Sequence, residues 1–233
     1  MSRHSLSLTF ASAIALGFSA PVHAQAAEQA TSEETRAQPP LNPATLGDAL
    51  SCRSHDAAIA FAYALFLDGH KPGWMRKITD RDENVGKMPG LYGYRLRKPV
   101  SFFGQTVDRV YFLKDWVVTL WPRTRAEAFI TQQKMERAPI RMTEQYYRFI
   151  DPEAGPMLGV FEPTDGTMAS LFARALGAGT EAPPPSDVLF VGCNYAAATQ
   201  GEFLEAANQA DAMAAEAASD IGEMLRSRNE PPE

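Results

Sequence analysis

Apolar residues recur along this chain in two rhythms, a helical one at both ends and an alternating one between them. Asp56–Leu67, DAAIAFAYALFL, puts apolar side chains on nearly every helical face, which predicts a central helix buried all round. Ser54 is placed to cap it and Gly69 to end it. Gly69–Gly90 is then a long polar stretch with Gly and Pro at its borders, and loops of that length in a folded domain usually serve a function.

Strand signals follow. Leu91–Arg97 alternates and Val100–Phe103 continues it; Val107–Leu113 and Trp116–Leu120 read as a hairpin across Lys114 and Asp115. Thr124 and Glu127 form a capping-box pattern opening a short helix to about Met135. Met142–Ile150 and Met157–Phe161 make a second strand pair around a turn at residues 151–155. Asp165–Thr167 caps a short helix, Met168–Leu176, and a Pro-rich spacer leads to a strand at Asp187–Tyr195. Thr199 and Glu202 open a long Ala-rich helix. Its apolar positions Phe203, Ala207, Ala210, Ala214, Ala217, Ile221 and Leu225 keep helical spacing, which predicts packing on a sheet.

Strand runs joined by tight turns imply antiparallel pairing. The predicted fold is α+β: an antiparallel sheet of about six strands against an N-terminal buried helix, a central helix and a long C-terminal helix. The order also admits a loose duplication of a three-strand-plus-helix unit, in topology alone.

The ends behave differently. Residues 1–24 carry Arg3, a short apolar stretch and small residues before Ala24, the pattern of an export signal cleaved near Ala24. Residues 25–42 lack periodicity and read as a flexible leader, residues 43–227 as one domain, and residues 228–233 as a disordered tail. No stretch is long and apolar enough to span a membrane. A periplasmic or secreted location is therefore expected, in an oxidising compartment where Cys52 and Cys193 pair.

The 233 residues are 45% hydrophobic and 21% charged, an ordinary globular profile. A formal charge of -6, becoming -7 once residues 1–24 are removed, argues against nucleic acid and anionic membranes as partners and points to a basic one.

Chemistry is sparse. Only His55 and His70 follow the leader, and neither a G-x-S-x-G elbow nor a phosphate-binding glycine motif occurs. Cys52 beside His55 would suit a thiol hydrolase only if Cys193 left it unpaired. Cys52-x-x-His55 with Asp56 starts like a zinc site without a second half. Asp80, Asp82 and Asn84 open like a calcium loop, but Val85 replaces the turn glycine and Leu91 the closing carboxylate. Glu144 and Glu162 are the least implausible carboxylate pair, and such strand residues commonly face solvent. No cofactor is expected.

What remains is the decorated loop, where Trp74, Met75, Lys77 and Arg81 form a candidate contact set. The expected function is that of an exported, non-catalytic protein that binds another protein, as an inhibitor or immunity-type partner does. The alternative is an exported hydrolase acting on cell-wall material or peptides.

Overall fold

The computed structural model describes residues 38–79, 88, 90–141, 143–153, 155–163 and 186–229, with side chains of the C-terminal helix described as far as residue 220 apart from 214, 217 and 218. The expected export signal, residues 25–37 of the expected leader, the helix at Met168–Leu176 and residues 230–233 lie outside the described residues. The expected bounds shift at both ends: Leu41 packs on the main core and Asn42 caps the first helix, so the leader's last residues are folded, and residues 228 and 229 belong to the C-terminal helix instead of a disordered tail.

The first element is a helix that periodicity had not suggested, α1 (Pro43–Leu50). Its signal is local. Asn42 Oδ1 accepts from Ala44 N and Thr45 N at 2.9 and 3.1 Å, and Asn42 N donates back to Thr45 Oγ1 at 3.2 Å. Pro43 occupies the first turn, where its missing N–H costs nothing. Leu46, Ala49 and Leu50 are fully buried.

After the corner at Cys52 comes α2 (His55–Ala62), capped as expected by Ser54, whose Oγ accepts from Ala57 N at 3.1 Å. It runs on as a π-helix over Tyr63–Leu67. The expectation of burial all round is corrected here. Ala57, Phe61 and Ala64 are buried, but Ile59 is 54% exposed and Leu67 77%. The apolar run covers the whole circumference, and only one side of it has a sheet to meet.

The strands among the described residues form one eight-stranded antiparallel sheet in the order β1-β2-β3-β4-β8-β7-β6-β5. They are β1 (Met75–Lys77), β2 (Leu91–Phe102), β3 (Gln105–Leu113), β4 (Trp116–Pro122), β5 (Glu136–Arg137), β6 (Gln145–Phe149), β7 (Met157–Phe161) and β8 (Val188–Asn194). The count exceeds the expected six because β1 and β5, of three and two residues, are too short to display alternation. Both lie at sheet edges, and the short length leaves little unpaired backbone for another chain to extend. Along β1 the outward groups of Met75 are already used: its N donates to Pro72 O and its carbonyl accepts from Lys71 Nζ.

Among the described residues four strands, β1–β4, precede α3 (Arg123–Gln133) and four more, β5–β8, lie between α3 and α4 (Gln200–Asn229), with mirrored order about the β4·β8 contact. The halves part company at their helices. Phe129 of α3 packs with Phe102 and Trp121 in the main core, whereas Phe203 of α4 packs with Tyr147 and Phe149 in a separate cluster.

Alternation assigns the two faces. Tyr94, Val110, Phe112, Val117, Leu158, Val160, Leu189 and Val191 meet α1, α2 and α3 in the main core. Tyr111, Val118 and Phe190 face the other way.

Two capping-box expectations divide. Thr199 and Glu202 form theirs: Glu202 N donates to Thr199 Oγ1 at 3.2 Å and Thr199 N to Glu202 Oε2 at 2.8 Å. Thr124 and Glu127 do not, because α3 starts directly from β4 with Pro122 at the cap position and no side-chain cap. Among the described side chains of the C-terminal helix, Ala207 is buried, Phe203 and Leu204 are partly buried, and Ala210 and Met213 are exposed.

Candidate functional site

Three pieces of chain meet at one end of α2. The β3–β4 hairpin turns at Lys114, whose φ of 51° is left-handed. Tyr195, just past β8, is tied to that turn by donation from its N to Asp115 O at 2.9 Å. Its hydroxyl lies 2.6 Å from Ala49 O and 3.2 Å from Ser54 O, so it clamps the α1–α2 corner. Burial pushes this phenol well above the ordinary tyrosine value, which keeps it a neutral donor. The imidazole of His55 stacks on the ring, centroids 4.9 Å apart and planes within 14°.

Two residues before Tyr195 in the chain, Cys193 forms a disulfide with Cys52 of the α1–α2 corner, their Cα atoms 5.2 Å apart across 141 positions. Both cysteines are thereby used, and the thiol version of a hydrolase has no thiol.

Between α2 and the hairpin lies a cleft of about 150 Å³. Ile59, Ala62 and Phe66 line it from the helix and Phe112 and Val117 from the strands, and His55, Lys114, Asp115 and Tyr195 supply its polar atoms. The apolar surface continues outward. Tyr63 is 48%, Phe66 41% and Tyr92 42% exposed, and the Phe66 and Tyr92 rings sit 4.9 Å apart. π-helical segments are rare and recur at functional positions; here one presents Tyr63, Phe66 and Leu67 on the same outer surface as Ile59. Asp56, Asp68 and Asp115 are the acidic residues of these same segments.

The residues singled out from sequence fall elsewhere. Met75 is fully buried in the main core. Trp74 is partly buried, its Nε1 donating to Leu41 O at 3.3 Å and its ring edge-on to Phe61 at 6.2 Å. Lys77 is exposed, its Nζ 5.6 Å from the centroid of Tyr92. Arg81, Asp80, Asp82 and Asn84 lie outside the described residues, and no group of metal-ligating side chains occurs among the described ones. His70 is exposed, with Nδ1 2.7 Å from Asp68 Oδ2.

Glu144 and Glu162 do come together, around Arg123. Arg123 Nη1 donates to Glu144 Oε2 at 2.8 Å and Nε to Ser186 O at 2.7 Å, while Ser186 N donates to Glu162 Oε1 at 2.8 Å. Glu162 N also donates to Glu144 O at 3.0 Å. Both carboxylates are thus hydrogen-bonded into a clamp joining the start of α3 to the ends of β7 and β8. The apolar face itself was missed at the sequence level because a helix apolar on all sides carries no mark of which side stays uncovered.

Comparison with known proteins returned no matching family model, no matching curated protein and no matching solved structure.

Proposed function

We propose that this is an exported, non-catalytic protein that binds another protein through the outer face of α2. The observation that carries the reading is the contiguous exposed surface of Ile59, Tyr63, Phe66, Leu67 and Tyr92 beside the cleft. Large apolar side chains exposed together, not singly, mark contact surfaces, and aromatic residues next to a pocket are the usual anchors of such contacts. The disulfide and the Tyr195 clamp support it by fixing both walls, so little ordering entropy is lost on binding. Export is supported by the leader pattern, by the disulfide and by the lack of any membrane-spanning helix among the described residues. Asp56, Asp68 and Asp115 suit a partner with basic residues around an apolar centre, as an inhibitor's or immunity protein's target would present.

The test is cross-linking in the envelope fraction with native protein and with Ile59→Glu/Leu67→Glu. Both positions are more than half exposed, so the double variant should keep the native circular dichroism spectrum. A stoichiometric protein partner should be recovered with the native chain and lost with the variant. Recovery of the same species by both, or of none by either, would overturn the reading.

A further inference from the structure

The cleft beside α2 has room for one side chain. Its volume is about 150 Å³, that of an apolar cavity which takes up a single benzene-sized molecule, and it is too small for a lipid chain. Ile59 and Ala62 line it with aliphatic surface. Phe66 and Phe112 line it with two rings that stand edge-on to one another, centroids 5.9 Å apart and planes at 78°. A third ring entering beside this pair finds the edge-to-face or offset contacts that aromatic groups prefer. An aliphatic side chain of similar bulk gains the apolar burial without those contacts.

The polar groups of Tyr195 at the rim are already engaged. Its hydroxyl bonds to Ala49 O and Ser54 O, its N donates to Asp115 O, and its ring stacks with His55. Lys114 and Asp115 form the charged part of the rim. Lys114 Nζ lies 3.9 Å from Asp115 Oδ2, too far for a hydrogen bond, and the pair leaves the two charges unequally placed. The lysine side chain is 86% exposed and stands in water, whereas the aspartate side chain is 42% exposed and half withdrawn beside the cleft. Residues 55–68 and 114–115 together carry three carboxylates, Asp56, Asp68 and Asp115, against the single ammonium of Lys114. Asp68 is shared with His70, and Asp56 also has a partner within the chain. Lys77 lies over Tyr92, outside the residues lining the cleft. The charge at the rim therefore favours an arriving cation over an anion.

We propose that the cleft receives one aromatic side chain of the partner, and that a basic residue adjacent to it in the partner's chain reaches Asp115. The proposal rests on the reading of the outer face of α2 as a protein-binding surface, and it names the anchor which that surface takes. An aromatic group seated in a fixed pocket is the arrangement in which a few residues carry most of a binding free energy. Here the walls are fixed before binding, by the disulfide on the α1–α2 corner and by the Tyr195 bonds to the same corner and to the hairpin.

The test titrates the intact, methyl-labelled protein at low salt with three capped dipeptides, acetyl-Phe-Lys-amide, acetyl-Leu-Lys-amide and acetyl-Phe-Glu-amide. NMR reads the methyl shifts of Ala58, Ile59 and Ala62, which line the cleft. The Phe-Lys peptide should shift all three by its ring current and bind at least about threefold tighter than either of the others. Ala62→Trp fills the cleft and should abolish the shifts. Ala62 is only partly buried, so the variant should keep the native circular dichroism spectrum, and Ala62→Leu, with less bulk, should give a partial loss. Asp115→Asn should bring Phe-Glu level with Phe-Lys while leaving the preference for Phe over Leu. Absence of methyl shifts with every peptide overturns the proposal. Equal affinity for Phe-Lys and Leu-Lys overturns the aromatic anchor, and a preference for Phe-Lys over Phe-Glu that survives in Asp115→Asn overturns the basic neighbour. Self-association in sedimentation that Ala62→Trp abolishes would assign the cleft to a second copy of this chain and overturn the proposal too. In the envelope cross-linking, a partner lost with Ile59→Glu/Leu67→Glu but kept with Ala62→Trp overturns the anchor and leaves the binding face standing. Peptide shifts with no partner recovered would sink the protein-binding reading and keep the ligand class of the cleft.

Discussion

At the scale of single residues, two glycines set how closely the strands and rings approach. Gly192 of β8 pairs with Val118 and with Gly159 of β7. A Cβ at Gly192 would stand 2.2 Å from Val117 O, a backbone atom that cannot yield without breaking the β4·β8 ladder. A Cβ at Gly159 would stand 2.4 Å from the Trp116 indole, a side chain with some freedom to rotate. Overpacking a core costs about 1–3 kcal/mol. Gly192→Ala is therefore expected near the top of that range, about 3 kcal/mol, and Gly159→Ala near about 1–2 kcal/mol. Urea denaturation measures both, and equal losses would show that ring and backbone resist alike. Neither position is marked in the sequence, where a glycine inside a strand reads as a bulge or a weakness. The glycines matter because of what lies across from them.

At the scale of elements, the helices differ in how they are held. α1 and α2 are pinned between the sheet, the disulfide and Tyr195, whereas α4 is attached by Phe203, Leu204 and Ala207 and by a polar tie. In that tie Asp211 accepts from Arg141 N and from Arg141 Nε, both at 2.8 Å. These bonds, the backbone one first, hold the Asp211 carboxyl below its ordinary value. A depressed carboxylate pKa adds stability that is present above the unfolded value and lost as pH falls through the folded one. The tie should be intact at neutral pH and fail progressively below about pH 4, the ordinary aspartate value. Hydrogen exchange along α4, compared between pH 6 and pH 3 after correction for intrinsic rates, should show selective loss of protection around residues 207–213. Asp211→Asn should remove that pH dependence. A pH response that persists in the variant would assign the effect to another group. The helix was legible from its capping box and periodicity: of its expected apolar positions Phe203 and Ala207 are packed and Ala210 is exposed, while Ala214, Ala217, Ile221 and Leu225 lie outside the described side chains. Periodicity identifies a face capable of packing, without showing how far the partner surface extends.

At the scale of the molecule, the disulfide joins the α1–α2 corner to β8, a central strand, and closes a loop of 141 positions. In the chain-entropy account such a loop is worth about 5 kcal/mol through the unfolded state. For a domain of this size each kcal/mol moves Tm by about 2–4 °C. Reduction, or Cys52→Ala/Cys193→Ala, should therefore lower Tm by about 10–20 °C. Calorimetry with and without dithiothreitol measures it, and an unchanged Tm would mean the bond contributes nothing to the stability of the fold. The same two cysteines carried the expectation of a bridge from sequence, and the fold places them within bonding reach.

What the sequence determined by itself was local or compositional. Caps at Ser54 and Thr199, the hairpin at Lys114, the strand cores and the mixed α+β class all follow from residues close together in the chain, because short-range hydrogen bonds and alternation need no distant partner. What only the tertiary structure decided depends on which surfaces meet. The strand order brings Glu144 and Glu162 around one arginine. Burial takes Met75 into the core and holds Trp74 against it, while Ile59, Tyr63, Phe66 and Leu67 are left outside. A helix apolar on every side has no preferred inside until a sheet covers one face, and for this chain the uncovered face is where the proposed function resides.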